Sequence, residues 1–157
     1  ICKNYNIQIL QVCYKFGRKM DNNTVFIEKL RSSGLRPTKQ RLEICKLLFD
    51  RKKTFHFTIN DLSKILRDKI NKKISLATIY NTIHSFKNKG YLKEISINRD
   101  KSYFDTNTSN HHHFLDINNN QLIDLKNEDV DKIRIKKNIP GKKITSIEVL
   151  VKIENNN

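Results

Sequence analysis

Three consecutive histidines, His111, His112 and His113, are the residues in this chain best suited to chemistry. Imidazole is neutral near pH 7, offers one lone pair, and with carboxylates suits borderline divalent ions such as Fe(II), Mn(II) or Zn(II). The stretch His111–Ile117 (HHHFLDI) reads as a strand, so its side chains alternate between faces. His111 and His113 then face one way and His112 the other. Asn118–Asn120 read as a three-residue turn into a second strand, Gln121–Leu125, which puts Asp124 opposite Phe114 on the His112 face. A ligand set of His56, Asp105, His112 and Asp124 follows if the intervening hinge folds back. A second set, for a metal or haem, is His111 and His113 with Asp131 from a following helix. A solvated histidine tract without chemistry is the competing reading.

The elements that must position these groups are legible in turn. Thr24–Arg31 reads as a short helix ending at Gly34. Pro37 disfavours helix at Arg36, Thr38 can cap, and Leu42, Cys45, Leu48 and Phe49 form a stripe over residues 38–49. Thr58–Lys69 is the clearest helix, with Thr58 and Asp61 resembling a capping box. The next helix starts at the N-cap Ser75 and stops at Gly90, with apolar spacing at Leu76, Ile79, Tyr80, Ile83 and Phe86. Its other face carries Thr78, Asn81, Thr82 and Ser85. A hairpin follows, with strands at 91–97 and 102–105. Helix, helix and wing together predict a winged helix-turn-helix over residues 21–107.

Charge agrees with that module. The net charge is +15; up to Asp105 there are 23 basic and 9 acidic residues, and beyond it 8 and 7. A basic module joined to a nearly neutral one suits a phosphate backbone as partner, since binding releases counterions. An anionic membrane surface competes, although no segment approaches the roughly 18 apolar residues of a spanning helix. Arg36, Lys39 and Arg41, near the helix start that Thr38 caps, form a phosphate-binding corner. Ser75, Thr78, Tyr80 and Asn81 face base edges, and Arg99 and Lys101 tip the wing.

Residues 108–157 read as a ββαβ unit: the two strands, a helix over 127–138, a Pro140–Gly141 turn, and a strand over 144–153. Such a unit is too small to bury its own core and predicts a homodimer. Residues 1–20 start without Met and lack a period; they read as a disordered extension or gene-boundary artefact. Cys2, Cys13 and Cys45 show no disulfide spacing, which points to a cytoplasmic protein.

GLRPTKQR at Gly34, SLATIYNT at Ser75, KSYFDTN at Lys101 and HHHF at His111 together resemble the ferric uptake regulator family, over about Phe26 to Ile153. The Tyr80-Asn81 pair and the short HHHF run are most similar to its iron response regulators. The resemblance implies an α+β fold, winged helix then dimerisation unit. It also implies a non-enzymatic, dimeric regulator of transcription on palindromic double-stranded DNA, serving iron homeostasis and answering to haem or a divalent metal. A regulator of the same family sensing Mn, Zn or peroxide is the alternative. A non-specific nucleic-acid binder is another, and a His/carboxylate metalloenzyme lacks any base or nucleophile beside the cluster. The interdomain metal site implied is His56, Asp105, Asp124 and His112. The other family site keeps His111, His113 and Asp131, with Ser146 where a further His is usual. A Cys-type structural zinc is excluded, since no Cys follows Cys45 and Ile117–Asn120 stand where Cys pairs do in most of the family. Neither Pro follows a Cys, so haem would depend on the histidines.

Overall fold

A computed structural model describes residues 22–70, 74–137 and 139–156; the reading of residues 1–20 lies outside them. In chain order the elements are α1 (Asn22–Ser32), α2 (Lys39–Phe49), β1 (His56–Phe57), α3 (Ile59–Ile70), α4 (Leu76–Asn88), β2 (Lys93–Ser96), β3 (Ser102–Asp105), β4 (His112–Asp116), β5 (Gln121–Leu125) and β6 (Leu150–Ile153). Two antiparallel pairings make a three-stranded wing sheet in the order β1-β3-β2. A second sheet runs β5-β4-β6, with β6 parallel to β4. The fold is α+β, a winged helix followed by a small sheet unit.

Local chemistry sets the helix ends. Thr58 Oγ1 accepts from the Asp61 N–H at 3.2 Å while Asp61 Oδ2 accepts from the Thr58 N–H at 3.1 Å. This reciprocal box satisfies two first-turn donors. Ser75 Oγ accepts from the Thr78 N–H, and the Thr38 hydroxyl does the same, more loosely, for Arg41. At the end of α4, Gly90 takes φ +79°, and the Tyr91 and Gly90 N–H groups return to Phe86 and Lys87 carbonyls. That left-handed residue is what glycine supplies without a Cβ clash.

Phe26, Leu30, Ile44, Leu48, Leu62 and Phe86 fill the core between the helices, and Phe57 and Phe104 close it from the wing sheet. Cys45 is a buried core residue. Lys29 is buried beside it, its ammonium 3.6 Å from the Tyr91 ring centroid and 4.4 Å from that of Phe49. Burial pulls the Lys29 pKa down to about 8, against a smaller upward pull from Cys45. Burial pushes the Cys45 thiol up to about 12, with Lys29 opposing.

Four expectations change. The buried face of α4 is Ile79, Thr82, Ile83 and Phe86, while Leu76 and Tyr80 are exposed. Thr82 tolerates burial because its hydroxyl donates to the Thr78 carbonyl at 2.7 Å. His56–Phe57, to which no element is assigned in the sequence reading, forms strand β1. The helix expected over 127–138 is a single 3-10 turn, Asn127–Asp129, and residues 130–137 carry no regular structure. Lys126 offers that turn no side-chain cap, and the β-branched Val130, Ile133 and Ile135 disfavour helix. The last strand is likewise shorter than expected, covering only Leu150–Ile153.

The wing leans on the second sheet. Tyr103, Leu115 and Leu122 form a separate apolar cluster, with Ile95, Ile97 and Leu150 packed against it. The Tyr103 hydroxyl donates to the Asn120 carbonyl, and Lys101 Nζ to Asn120 Oδ1, both at 2.7 Å.

Candidate metal centre

Five side chains converge where the wing meets the second sheet: His56, Asp105, His111, His113 and Asp124. One ligand atom from each lies within 4.8 Å of all the others. The ladders explain the convergence. His56 stands opposite Asp105 at the wing edge. His113 stands opposite Asp124 in the second sheet, and His111, two residues earlier, shares its face. The segment between β3 and β4 folds back, anchored where the Thr106 hydroxyl accepts from the Phe55 N–H at 2.9 Å.

The distances fit a cation. His56 Nε2 lies 3.3 Å from Asp105 Oδ2 and 2.8 Å from Asp124 Oδ1. His111 Nε2 is 3.1 Å from each of those oxygens, and His113 Nε2 is 3.4 and 3.7 Å away. Two ligands each about 2.1 Å from one ion stand about 3.0 Å apart in cis and about 4.2 Å in trans. Close as it is, His56 Nε2 is a buried nitrogen without a hydrogen-bond partner, because the carboxylates lie off its N–H direction. His111 Nε2 and His113 Nε2 do reach Asp124 and Asp105 at 3.1 and 3.4 Å, so the five atoms crowd one point with His56 Nε2 left over. Three nitrogens and two oxygens are a donor set for Fe(II), Mn(II) or Zn(II).

Surrounding groups aim the ligands. His111 Nδ1 lies 2.9 Å from the Ser109 carbonyl; an acceptor there requires Nδ1–H and leaves Nε2 for the ion. The Asn107 N–H donates to Asp105 Oδ1 at 2.7 Å, which leaves Oδ2 toward the centre. The Thr54 hydroxyl donates to Asp124 Oδ2 at 3.0 Å, which leaves Oδ1. Burial alone would raise the Asp105 pKa, but the hydrogen bond from His113, the nearby His56 imidazole and the Asn107 N–H hold it well below the usual carboxylate range. Burial would favour neutral His56, yet Asp105 and Asp124 hold its pKa above the ordinary value. A cation entering there displaces a proton.

His112 is not in this group. Its ring lies on the other face of β4, where Nδ1 accepts from the Val149 N–H at 3.2 Å. The loop explains the difference: Asp116 pairs with Gln121, so the turn has four residues, Ile117–Asn120. That register moves Asp124 from opposite Phe114 to opposite His113, and a one-residue slip reverses the face. Asp116 builds the longer turn by accepting from the Asn118 and Asn119 N–H groups, and Asn120 closes it at φ 51°. Asp131 is exposed and does not join His111 and His113; it shares with His112 a shallow groove of about 270 Å³. The positioning roles of Thr54, Asn107 and Ser109 leave no spacing pattern in the sequence.

The residues expected to meet nucleic acid lie on the basic module. Arg36, Thr38, Lys39, Ser75, Tyr80, Asn81 and Arg99 are exposed, and Thr78 is half-buried beneath its cap. Arg41 is half-buried, and its Nη1 donates to the Arg36 carbonyl at 3.0 Å. Lys101 is half-buried against Asn120. Among the described residues no helix is long and apolar enough to cross a membrane.

Known proteins agree with this architecture. The model of the ferric uptake regulator family matches residues 32–152. The peroxide-responsive repressor PerR of Staphylococcus epidermidis is 34% identical over 107 residues, 68% of this chain and 69% of that protein. The peroxide operon regulator of Bacillus subtilis is 32% identical, over 68% and 72%. The ferric uptake regulator of Vibrio cholerae superposes with a TM-score of 0.61 at 20% identity, covering 86% of this chain and all of that one. That of Pseudomonas aeruginosa, solved with manganese, gives 0.60 at 19%, covering 85% and 99%. On the extent of that match, the chain belongs to the ferric uptake regulator family.

Proposed function

We propose that this protein is a homodimeric repressor that binds palindromic DNA when His56, Asp105, His111, His113 and Asp124 hold Fe(II) or Mn(II). The observation that carries the reading is the five-ligand cluster itself, drawn from both sides of the wing–sheet junction. An ion bound there ties β1 and β3 to β4 and β5. It thereby favours one placement of the recognition helix α4 relative to the dimer, and occupancy becomes DNA affinity through that differential stability. Tyr80 and Asn81 face base edges, while Arg36, Lys39, Arg41, Arg99 and Lys101 face phosphates. Thr38, Ser75 and Thr78 present helix N-termini to the backbone. The outer face of the second sheet supports dimerisation: Ile123, Phe114 and Val151 stand in register across it, with Ile123 exposed in the single chain.

Peroxide is the signal we favour. Both curated relatives described above are named for peroxide. Fe(II) in such a set is readily oxidised by peroxide, whereas Mn(II) resists it. The haem response implied by the iron response regulators is the competing reading. Five ligand atoms within 4.8 Å suit one ion better than a macrocycle, which favours metal.

The test is a DNA titration on duplexes selected from a random library, using protein loaded with Mn(II), Fe(II) or haem. Specific binding should require metal and vanish with chelator, and peroxide should release only the Fe(II) form. A response to haem alone would favour the iron-response reading. DNA affinity indifferent to metal, haem and peroxide would end the regulatory proposal.

A further inference from the structure

The exposed ring of the recognition helix is not free. Tyr80 is 53% exposed, yet its ring lies on that of His84 one turn later, centroids 4.3 Å apart and planes 28° from parallel. His84 is half-buried and meets the buried Phe104 edge-on, at 5.9 Å and 80°. Phe104 in turn stacks on Phe57 at 5.8 Å. Phe104 immediately precedes Asp105, and Phe57 immediately follows His56. Four rings therefore run from the strand pair carrying two metal-site residues to an exposed side chain of α4.

An exposed tyrosine on a helix ordinarily samples more than one rotamer, and docking onto bases then orders it at a cost in affinity. Here the His84 face restricts that choice beforehand, and Phe104 restricts His84. Nothing else in the described contacts of Tyr80 does so. We propose that His84 is a positioning residue for DNA recognition, holding the Tyr80 ring in the orientation it presents to the major groove. The inference rests on the DNA-binding reading above and assigns to His84 a role in specificity rather than in contact with DNA.

The test uses the full chain loaded with Mn(II), with affinity measured on the selected duplex and on a scrambled duplex of the same composition. His84→Ala should lower affinity for the selected duplex about tenfold, the size of one lost base contact, and change the scrambled one by less than about twofold. Tyr80→Ala should do the same, and the double variant should lose no more than Tyr80→Ala alone, because the two rings act as one unit. His84→Phe keeps a flat ring on Phe104 and should restore the selectivity. His84→Leu keeps apolar volume without a ring face and should behave like His84→Ala, with helix content and melting temperature confirming the fold in each. Additive losses, equal losses on both duplexes, or failure of His84→Phe to rescue would overturn the proposal. A parent chain that selects no sequence would remove the DNA-binding reading and this inference with it. A selective parent with an equally selective His84→Ala would remove this inference alone.

Discussion

Asp124 stands opposite His113 in the β4–β5 ladder, and its Oδ1 lies 3.7 Å from His113 Nε2 while Oδ2 takes the Thr54 hydroxyl. One carboxylate thus joins the second sheet to the segment before β1. The two oxygens have separate tasks, one toward the ion and one toward its own orientation. Thr54→Val keeps the shape and removes the donor. It should weaken Mn(II) binding about tenfold, as loss of an outer hydrogen bond to a ligand does. Calorimetric titration checks this, with His112→Ala expected to bind Mn(II) as the parent does. A His112→Ala chain that loses the ion would return that residue to the ligand set.

The turn offers a sharper test of register. Deleting Asn119 leaves a three-residue loop. If β5 slides to accommodate it, Asp124 moves to the His112 face. Mn(II) affinity should then fall at least as far as in Asp124→Ala, although circular dichroism still reports the sheet. Retained affinity would mean that the loop absorbs the deletion without moving the ladder.

Base-facing and phosphate-facing roles predict different losses. Asn81→Ala should cost about 1–3 kcal/mol on the selected duplex and little on random DNA. Lys39→Ala should weaken both duplexes alike and flatten the salt dependence by about one charge. Equal losses for Asn81→Ala would remove it from the base edges.

The buried pair Lys29 and Cys45 sets a pH signature for stability. Lys29 titrates near 8 when folded, against its ordinary 10.5. Between those values the unfolded chain binds the extra proton, so stability rises as pH increases from about 8. Cys45 titrates near 12 when folded, against 9.0. Above pH 9 the folded chain holds the extra proton, and stability falls. Urea midpoints should therefore climb between pH 8 and 9 and then flatten. Lys29→Met should abolish the climb, and Cys45→Ala should extend it toward pH 10.5. A parent midpoint that stays level from pH 8 to 9 would contradict the Lys29 environment.

The dimer can be tested on the outer sheet face. Ile123→Lys places a charge where apolar residues need cover, and sedimentation should give a monomer that still binds Mn(II). A dimer that survives would move the interface elsewhere.

Local signals in the sequence were the most legible. The Thr58–Asp61 box, the Ser75 cap and the Gly90 stop each satisfy backbone groups within a few residues, so composition and spacing suffice to find them. Gly34 and Gly90 mark their turns for the same reason. His56, Asp105 and Asp124 were expected together, and the structure brings them together. Choosing His112 over His111 and His113 turned on whether one loop holds three or four residues, a count that periodicity does not contain. The Asp116 carboxylate fixes that count by accepting from the Asn118 and Asn119 N–H groups, contacts that exist only once the turn has formed. The helix over 127–138 failed because apolar residues alone do not distinguish a helix from an irregular edge when β-branched side chains and a missing cap oppose it. Leu76 falls on the apolar stripe yet lies outside the core, and Tyr80, on the same stripe but expected at base edges, is exposed.

Tyr103 belongs by sequence to the wing and by packing to the second sheet, where it meets Leu115 and Leu122. Cutting the chain after the wing would leave Tyr103, Ile95 and Ile97 without that cover and its hydroxyl without the Asn120 carbonyl. A DNA-binding module of this build is therefore not a part that can be lent to another protein unchanged. Its surface is finished by the sheet unit beside it, and a transplanted wing would have to bring those three isoleucine and tyrosine contacts a new neighbour or have them made polar.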